Sequence, residues 1–340
     1  MNEHRTILTA YERARTKGVR AALVTIVNVL GSSYRRPGAK MLITEEGDIS
    51  CAISGGCLER DVIQRACWAI HHSQARIVRY DTRVEGFDEQ DSLIQSAGLG
   101  CEGIIDVFID PAPEAHLKAI EFAECGRQTV EYTIALPDGT AFQDVLVPPV
   151  NLIIFGAGHD AVPVSRLSLE LGWDTTVVDC RSAFPAPKQL FNAVTHFISC
   201  PLENLMERMR IPNESAMLIM THNYEHDRLI LKQIVGHPVK YIGLLGPRLR
   251  GARLLSDLNT EGIPALFDRI YFPTGLDIGA ETPQAIALAM LAEVQAVLAG
   301  KEGGFLRKKT EPIHETRYYA LRKPVSMPLV TQRPAMEASD

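Results

Sequence analysis

The sequence predicts an α/β protein, with a C-terminal Rossmann-like, doubly wound parallel sheet preceded by a smaller mixed α/β domain. Three observations carry this. After residue 150, short apolar runs alternate with helical stretches, the rhythm of a parallel sheet with crossover helices. A glycine turn, Gly156-Ala157-Gly158, stands between the first of those runs and a helix. A second run ends on an acid, Val177-Val178-Asp179, about 20 residues on, where dinucleotide-binding folds place a ribose-binding carboxylate.

The elements follow in order. Residues 3–17 carry Ile7, Leu8 and Tyr11 at helical spacing. Ala21–Leu30 is an apolar run that reads as a buried strand. Lys40–Ile43 and Ile49–Ile53 flank Thr44-Glu45-Glu46-Gly47-Asp48, which predicts a hairpin. Leu58, Val62, Ala66 and Ala69 fall on one helical stripe. Strands at 77–80 and 104–109, a helix over 111–124 and a strand over 129–135 complete the first half. Val147-Pro148-Pro149-Val150 reads as a linker, because consecutive prolines interrupt strand pairing. Beyond it, strands are expected at 152–155, 175–179, 196–199, 216–221, 241–245 and 270–272. Helices are expected at 160–171, 225–235 and 283–298. The organisation is therefore a domain over 1–148, a Rossmann-like domain over 150–300 and a tail over 301–340. That tail holds eight Lys/Arg, five Asp/Glu and four prolines with little periodicity. It reads as a flexible segment, with a partner-binding or dimer-spanning arm in a homo-oligomer as the alternative.

Composition narrows the function classes. The 340 residues are 46% hydrophobic and 22% charged, with a net charge of −6. That balance argues against nucleic acid, which asks for a concentrated basic face. No apolar run approaches the roughly 20 residues of a membrane span, and Met1–Arg5 lacks the order of a secretory signal. Seven cysteines without a C-x-x-C pair indicate neither a disulfide frame nor a zinc knuckle. They fit a reducing cytoplasm.

Several loops carry chemistry. In the glycine turn, Gly156 permits the tight bend and Gly158 lets a phosphate approach the backbone; His159 and Asp160 add polarity. Asp179 is placed for a ribose hydroxyl, and Arg181 for an additional phosphate, so NAD(P) is one candidate ligand. Thr221-His222-Asn223-Tyr224-Glu225-His226-Asp227 follows a strand end, which makes His222 and Asp227 candidates for the same crevice. In the first half, Arg35, Arg36 and Lys40 surround a glycine-bounded loop, Gly31–Lys40, suited to an anion. Ser54-Gly55-Gly56-Cys57 delivers a thiol to a helix start, where the dipole and free amides favour a thiolate. Such a thiolate can bind a soft metal, carry a persulfide or act as a nucleophile. A second thiol, Cys101, lies in the glycine-rich stretch 98–103. Cys51 and Cys67 read as core residues within a strand and a helix, and Cys180 as a residue packed beside the crevice.

With these motifs assembled, the chain resembles the XdhC/CoxI family of xanthine dehydrogenase accessory factors. The stretches that carry the resemblance are GSSYRRPGAKMLI at 31–43, SGGCLERDV at 54–62, GLGCEG at 98–103, IFGAGHDA at 154–161, MTHNYEHD at 220–227, YIGLLGPR at 241–248 and GLDIGAETP at 275–283. They span both halves. One departure is Glu102, where the family's usual form has glycine. The resemblance implies a cofactor-binding chaperone rather than an enzyme, without catalytic residues. It implies binding of molybdenum cofactor (molybdopterin), support of its sulfuration by a cysteine desulfurase, and insertion into a xanthine dehydrogenase-type molybdenum hydroxylase. By the same resemblance Cys57 is the first candidate for cofactor and metal binding, Arg35, Arg36 and Lys40 neutralise the phosphate, and Cys101 assists. On the residues alone, an NAD(P)-dependent oxidoreductase stays open.

Overall fold

The computed structural model describes residues 3–31, 33–81, 103–181, 188–191, 194, 196–263 and 267–310. The chain falls into two compact units. One comprises the described residues between Thr6 and Ala123 and the segment Gln128–Val147; the other runs from Pro148 onward and includes residues 3–5 and Glu124–Arg127.

The first unit is built on an antiparallel sheet. Its elements are α1 (Glu3–Thr16), β1 (Ala21–Gly31), β2 (Lys40–Thr44), β3 (Ile49–Ser50), α2 (Glu59–His72), β4 (Arg76–Asp81), β5 (Gly103–Asp110), α3 (Glu114–Gly126), β6 (Val130–Ala135) and β7 (Ala141–Leu146). The strand order is β3-β2-β1-β5-β4, and every neighbouring pair runs antiparallel. β1 shows the period of two that a strand covered on both faces requires. Ala22, Val24 and Ile26 join the α2 stripe of Leu58, Val62, Ala66 and Ala69 in one core. Ala21 and Leu23 face the other way, onto Ile7 of α1 and Leu117 and Ile120 of α3. The register slips between Ile26 and Asn28. Val27, on the face of Ala21 and Leu23, joins a third cluster with Phe108 and the β6–β7 hairpin residues Ile134 and Phe142, while beyond the bulge Val29 packs on the α2 side.

Two local expectations are corrected. The second hairpin strand stops at Ser50 rather than Ile53, and Cys51 has φ 66, a left-handed conformation outside any strand. β7, to which the sequence analysis assigns no strand, pairs with β6 from Ala135↔Ala141 to Val130↔Leu146.

The second unit contains β8 (Asn151–Phe155), α4 (Ala161–Glu170), β9 (Asp174–Asp179), β10 (His196–Ser199), α5 (Leu205–Arg208), β11 (Ala216–Ile219), α6 (Tyr224–Ile234), β12 (Tyr241–Leu244), α7 (Arg248–Thr260), β13 (Ile270–Tyr271) and α8 (Pro283–Leu298). Its six strands are parallel and ordered β10-β9-β8-β11-β12-β13. The chain starts in the middle, winds out to β10, then returns to β11 and winds the other way. The reversal places a topological switch point between β8 and β11. Both faces are covered: Ile153, Phe155, Met217 and Ile242 pack with α6 and α7, and Leu152, Ile154, Leu218 and Tyr241 with α4 and α8. Complete burial explains the continuous apolar strands read in the sequence. Residues 301–310 are exposed throughout, and the rest of the expected tail lies outside the described residues. Among the described residues, no helix is long and apolar enough to cross a membrane.

Candidate functional site

In the antiparallel sheet, register brings the polar loops to one end. Thr25 pairs with Lys40 and Gly31 with Gly103, so the 31–40 loop departs and returns there. Ser50 pairs with Leu42, which directs the chain after β3 toward the same end and into Ser54–Glu59. Cys101 lies outside the described residues; the chain is next described at Gly103.

The 31–40 loop is pinned from below. Gly38 N–H donates to Ile26 O at 2.8 Å, Ile26 N–H donates to Ala39 O at 3.0 Å, and Gly38 has φ 92, a conformation that glycine adopts freely. Lys40 does not reach the surface. Its Nζ lies 2.8 Å from Asp144 Oδ2 and donates to Gly38 O at 2.8 Å, with the side chain 3% exposed. His116 Nε2 is 2.7 Å from the same Asp144 oxygen, and its ring stacks on Tyr132. Burial, reinforced by the Lys40 charge, holds His116 below its ordinary value despite the Asp144 hydrogen bond. Burial pushes Asp144 upward, but the His116 hydrogen bond and the Lys40 charge outweigh it and hold the carboxyl low. The trio is therefore Lys40 ammonium, Asp144 carboxylate and neutral His116 donating from Nε2. The Lys40 charge is thus engaged inside the fold, below the loop rather than on its outer side. Arg35 and Arg36 remain half-exposed. The Nε of Arg36 is buried and has no hydrogen-bond partner among the described residues, which leaves an anion-seeking donor in the loop.

Cys57 is exposed on a turn closed by Ser54 and Glu59. Ser54 Oγ donates to Glu59 Oε2, and Ser54 N–H to Glu59 Oε1 at 2.8 Å. In return, Gly56 N–H and Leu58 N–H donate to Ser54 Oγ at 3.1 and 3.2 Å. The amides on either side of Cys57 are thus engaged in closing the turn. Their work is to hold the turn so that the thiol projects outward. Among the described residues, no group of three or more His, Cys, Asp or Glu side chains is placed to hold a metal ion.

In the Rossmann unit the candidates gather at the carboxyl ends of β8, β9 and β11, and most of them already have partners. Gly156 has φ 116, and a Cβ there would stand 2.5 Å from Met220 O; close packing of β8 against the β11 end requires glycine. A Cβ on Gly158 would meet Asp160 Oδ1. Asp160 is the N-cap residue of α4 but accepts no capping hydrogen bond. Its Oδ2 instead lies 2.7 Å from Nε2 of the exposed His222. A carboxylate of the chain itself thereby sits by the helix N-terminus, where the dipole favours negative charge. His159 is exposed. Asp179, 1% exposed, is clasped by Arg181: Nε to Oδ1 at 2.8 Å and one terminal nitrogen to Oδ2 at 3.0 Å. The same guanidinium donates to Ala157 O at 2.9 Å and so ties the β9 end to the glycine turn. Asp227, 2% exposed, accepts from Thr221 Oγ1 and from Arg250 at 2.6 Å. It joins the β11–α6 turn to α7 inside the fold. His226 does not pair with His222; its backbone N–H is capped by Asn223.

This geometry can be set beside known proteins. Residues 152–294 match the XdhC Rossmann domain, and residues 14–81 match the XdhC and CoxI family. A probable xanthine dehydrogenase component of Bacillus subtilis (strain 168) is 31% identical over 315 residues, covering 81% of this chain and 92% of that protein. The chain belongs to the XdhC and CoxI family. A molybdenum cofactor insertion chaperone, PaoD of Escherichia coli (strain K12), is 25% identical over 318 residues, covering 88% of this chain and 91% of its own. The crystal structure of a xanthine dehydrogenase from Bacillus halodurans superposes with a TM-score of 0.72 at 27% identity, covering 89% of this chain and 97% of that one. The XdhC and CoxI match contains both the 31–40 loop and Cys57, and the XdhC Rossmann match contains the Asp160–His222 and Asp179–Arg181 pairs. Sequence reasoning missed His116 and Asp144, which no local signal ties to Lys40, and took Asp160 only as added polarity.

Proposed function

We propose that this chain is an accessory protein that binds molybdenum cofactor, supports its sulfuration by a cysteine desulfurase and delivers it to a xanthine dehydrogenase-type molybdenum hydroxylase. The observation that carries the reading is the convergence, at one sheet end, of an arginine loop whose buried Arg36 Nε has no partner among the described residues and a turn that holds an exposed thiol. Those donors fit the cargo. Arg36, assisted by Arg35, answers a phosphate, since guanidinium forks suit phosphate oxygens. Cys57 offers a soft sulfur of the kind thiophilic metals prefer. The cargo itself supplies the molybdenum chemistry of the target hydroxylase. The chain's contribution is to hold, shield and release it, with the Lys40–Asp144–His116 trio fixing the loop from inside. A relative named as a molybdenum cofactor insertion chaperone supports the same reading.

The test is retention. Purified protein mixed with molybdenum cofactor and gel-filtered should carry molybdenum in the protein peak, and Cys57→Ala should lose most of it. If the parent chain retains none, and Cys57→Ala matches it in reconstituting the dehydrogenase, the reading is wrong.

The strand order and the Gly156 turn support a second ligand, a phosphate-bearing nucleotide such as NAD(P), in the Rossmann crevice. NADH fluorescence without a saturable change removes that reading, and with it the alternative of an NAD(P)-dependent oxidoreductase.

A further inference from the structure

Two thiols that no motif connects meet at the edge of the Rossmann crevice. The β9–β10 pairing ends at Asp179↔Ser199, and the next residues on the two strands are Cys180 and Cys200. Cys200 N–H donates to Asp179 O at 3.2 Å, which continues the ladder by one step. Neighbouring strands lie about 4.8 Å apart, inside the roughly 4.4–6.8 Å between Cα atoms that a disulfide spans. Both side chains pack in the same apolar cluster, with Val178, Leu202 and Leu205. Cys200 is 7% exposed, whereas Cys180 is partly open to solvent.

We propose that Cys180 and Cys200 are a modification site, a dithiol that closes to a reversible disulfide by exchange with a low-molecular-weight disulfide. The accessible Cys180 loses its proton to solvent and attacks one sulfur of the reagent, forming a mixed disulfide and expelling one thiolate. Cys200 then loses its proton and attacks Cys180 Sγ, closing the protein disulfide and expelling the second thiolate. Both departing thiolates take up protons. Two protein thiols are oxidised and one reagent disulfide is reduced to two thiols.

The surroundings make this exchange slow and selective rather than indiscriminate. Burial, the Cys200 sulfur and the charges of Asp179 and Glu203 push the Cys180 thiol up to about 12. Burial also raises Cys200, against the opposing influence of the neighbouring Cys180 thiol and of the Arg208 charge. Since the thiolate is the attacking species, the pair follows a sustained oxidising poise and not a brief exposure. Position supplies the consequence. Cys180 stands between Asp179 and Arg181, so tying it to Cys200 acts on the backbone that carries the clasp over the glycine turn. The exposed Cys57 and Cys125 differ: among the described residues, neither has a neighbouring thiol placed by strand register.

The full-length chain is equilibrated under native conditions in glutathione buffers of increasing oxidised fraction. Remaining thiols are alkylated, and the protein is digested and mapped by mass spectrometry. The expected result is a linked Cys180–Cys200 peptide, two hydrogens lighter than its parts, that grows with the oxidised fraction and vanishes on reduction. In Cys200→Ser, the glutathione adduct accumulates on Cys180. Both cysteines alkylated in every buffer, or Cys180 linked to a different cysteine, overturns the proposal. The map of the unsubstituted chain decides it, whatever the folding of the variant.

Discussion

His222 Nε2 and Asp160 Oδ2 lie 2.7 Å apart, linking the turn after β11 to the N-terminus of α4 across the switch point of the Rossmann sheet. The pair places a carboxylate beside Gly158, in the neighbourhood a ligand phosphate uses in such folds. An incoming phosphate therefore meets a like charge. Asp160→Ala is expected to tighten NADH binding by about 1 kcal/mol, roughly fivefold in Kd, the size of a helix-terminus charge effect. Titration calorimetry on both chains measures it. A weaker Kd in the variant means that Asp160 is a ligand contact and not a placeholder.

The trio beneath the arginine loop makes the first unit sensitive to acid. The unfolded chain protonates His116 near pH 6.5, whereas the folded chain resists it because burial holds the imidazole lower. As pH falls past about 6.5, the unfolded state binds a proton that the folded state does not, and stability drops. Asp144 is depressed as well. Its contribution is present above about pH 3.9 and is lost as pH falls through the lower folded value. Both groups thus weaken the fold on acidification, at different pH. Urea midpoints measured from pH 8 to pH 5 should decline, and His116→Gln should flatten that decline.

Removing the carboxylate is more damaging than removing the imidazole. Asp144→Ala leaves the Lys40 ammonium, 3% exposed, without its buried counter-ion. Breaking such a pair costs about 3–5 kcal/mol. Chemical denaturation should show that loss in the unfolding transition of the first unit. A change below about 1 kcal/mol would falsify the assignment of Lys40 as an internal anchor.

What was legible in the sequence follows from the range of the interactions. The strands of the Rossmann unit and its helices α4, α6 and α8 are fixed by local periodicity and turn residues, whereas the sequence analysis assigns no helix to α7. α8 spans Pro283–Leu298 as expected, because Thr282 caps Ala285 N–H and Pro283 opens the helix. The Cys57 turn was recognised from two glycines, but not its Ser54–Glu59 closure, since either side chain can equally face solvent. The Lys40–Asp144 pairing is not legible because the carboxylate lies far along the chain, on hairpin strand β7, to which the sequence analysis assigns no strand. Cys200 drew no notice, because only strand register sets it beside Cys180.

Stability and function separate cleanly at the thiol turn. Cys57 is exposed, so Cys57→Ala should leave the melting temperature nearly unchanged, within about 0.5 kcal/mol, while cofactor retention falls. Ser54→Ala removes the oxygen that accepts from Gly56 and Leu58. It should cost about 1 kcal/mol, as lost helix caps do, and weaken retention through disorder of the turn. Calorimetry with gel-filtration retention distinguishes the two. Equal destabilisation by both variants contradicts the assignment.

The two glycines of the phosphate turn answer different questions. Gly156 combines φ 116 with a prospective Cβ 2.5 Å from Met220 O, a backbone atom that cannot yield. Gly156→Ala should therefore destabilise the Rossmann unit by about 1–3 kcal/mol with no ligand present, and any loss of binding in that variant reports on folding. At Gly158 the prospective Cβ meets only the side chain of Asp160 and, at 3.9 Å, that of His222. Both can swing away, so Gly158→Ala should fold with near-parent stability while its methyl group obstructs a phosphate approaching the backbone. Paired melting curves and NADH titrations of the two variants check the distinction. If Gly158→Ala unfolds as readily as Gly156→Ala, the turn is packed tightly at both positions, and its glycines are explained by strand packing without a ligand.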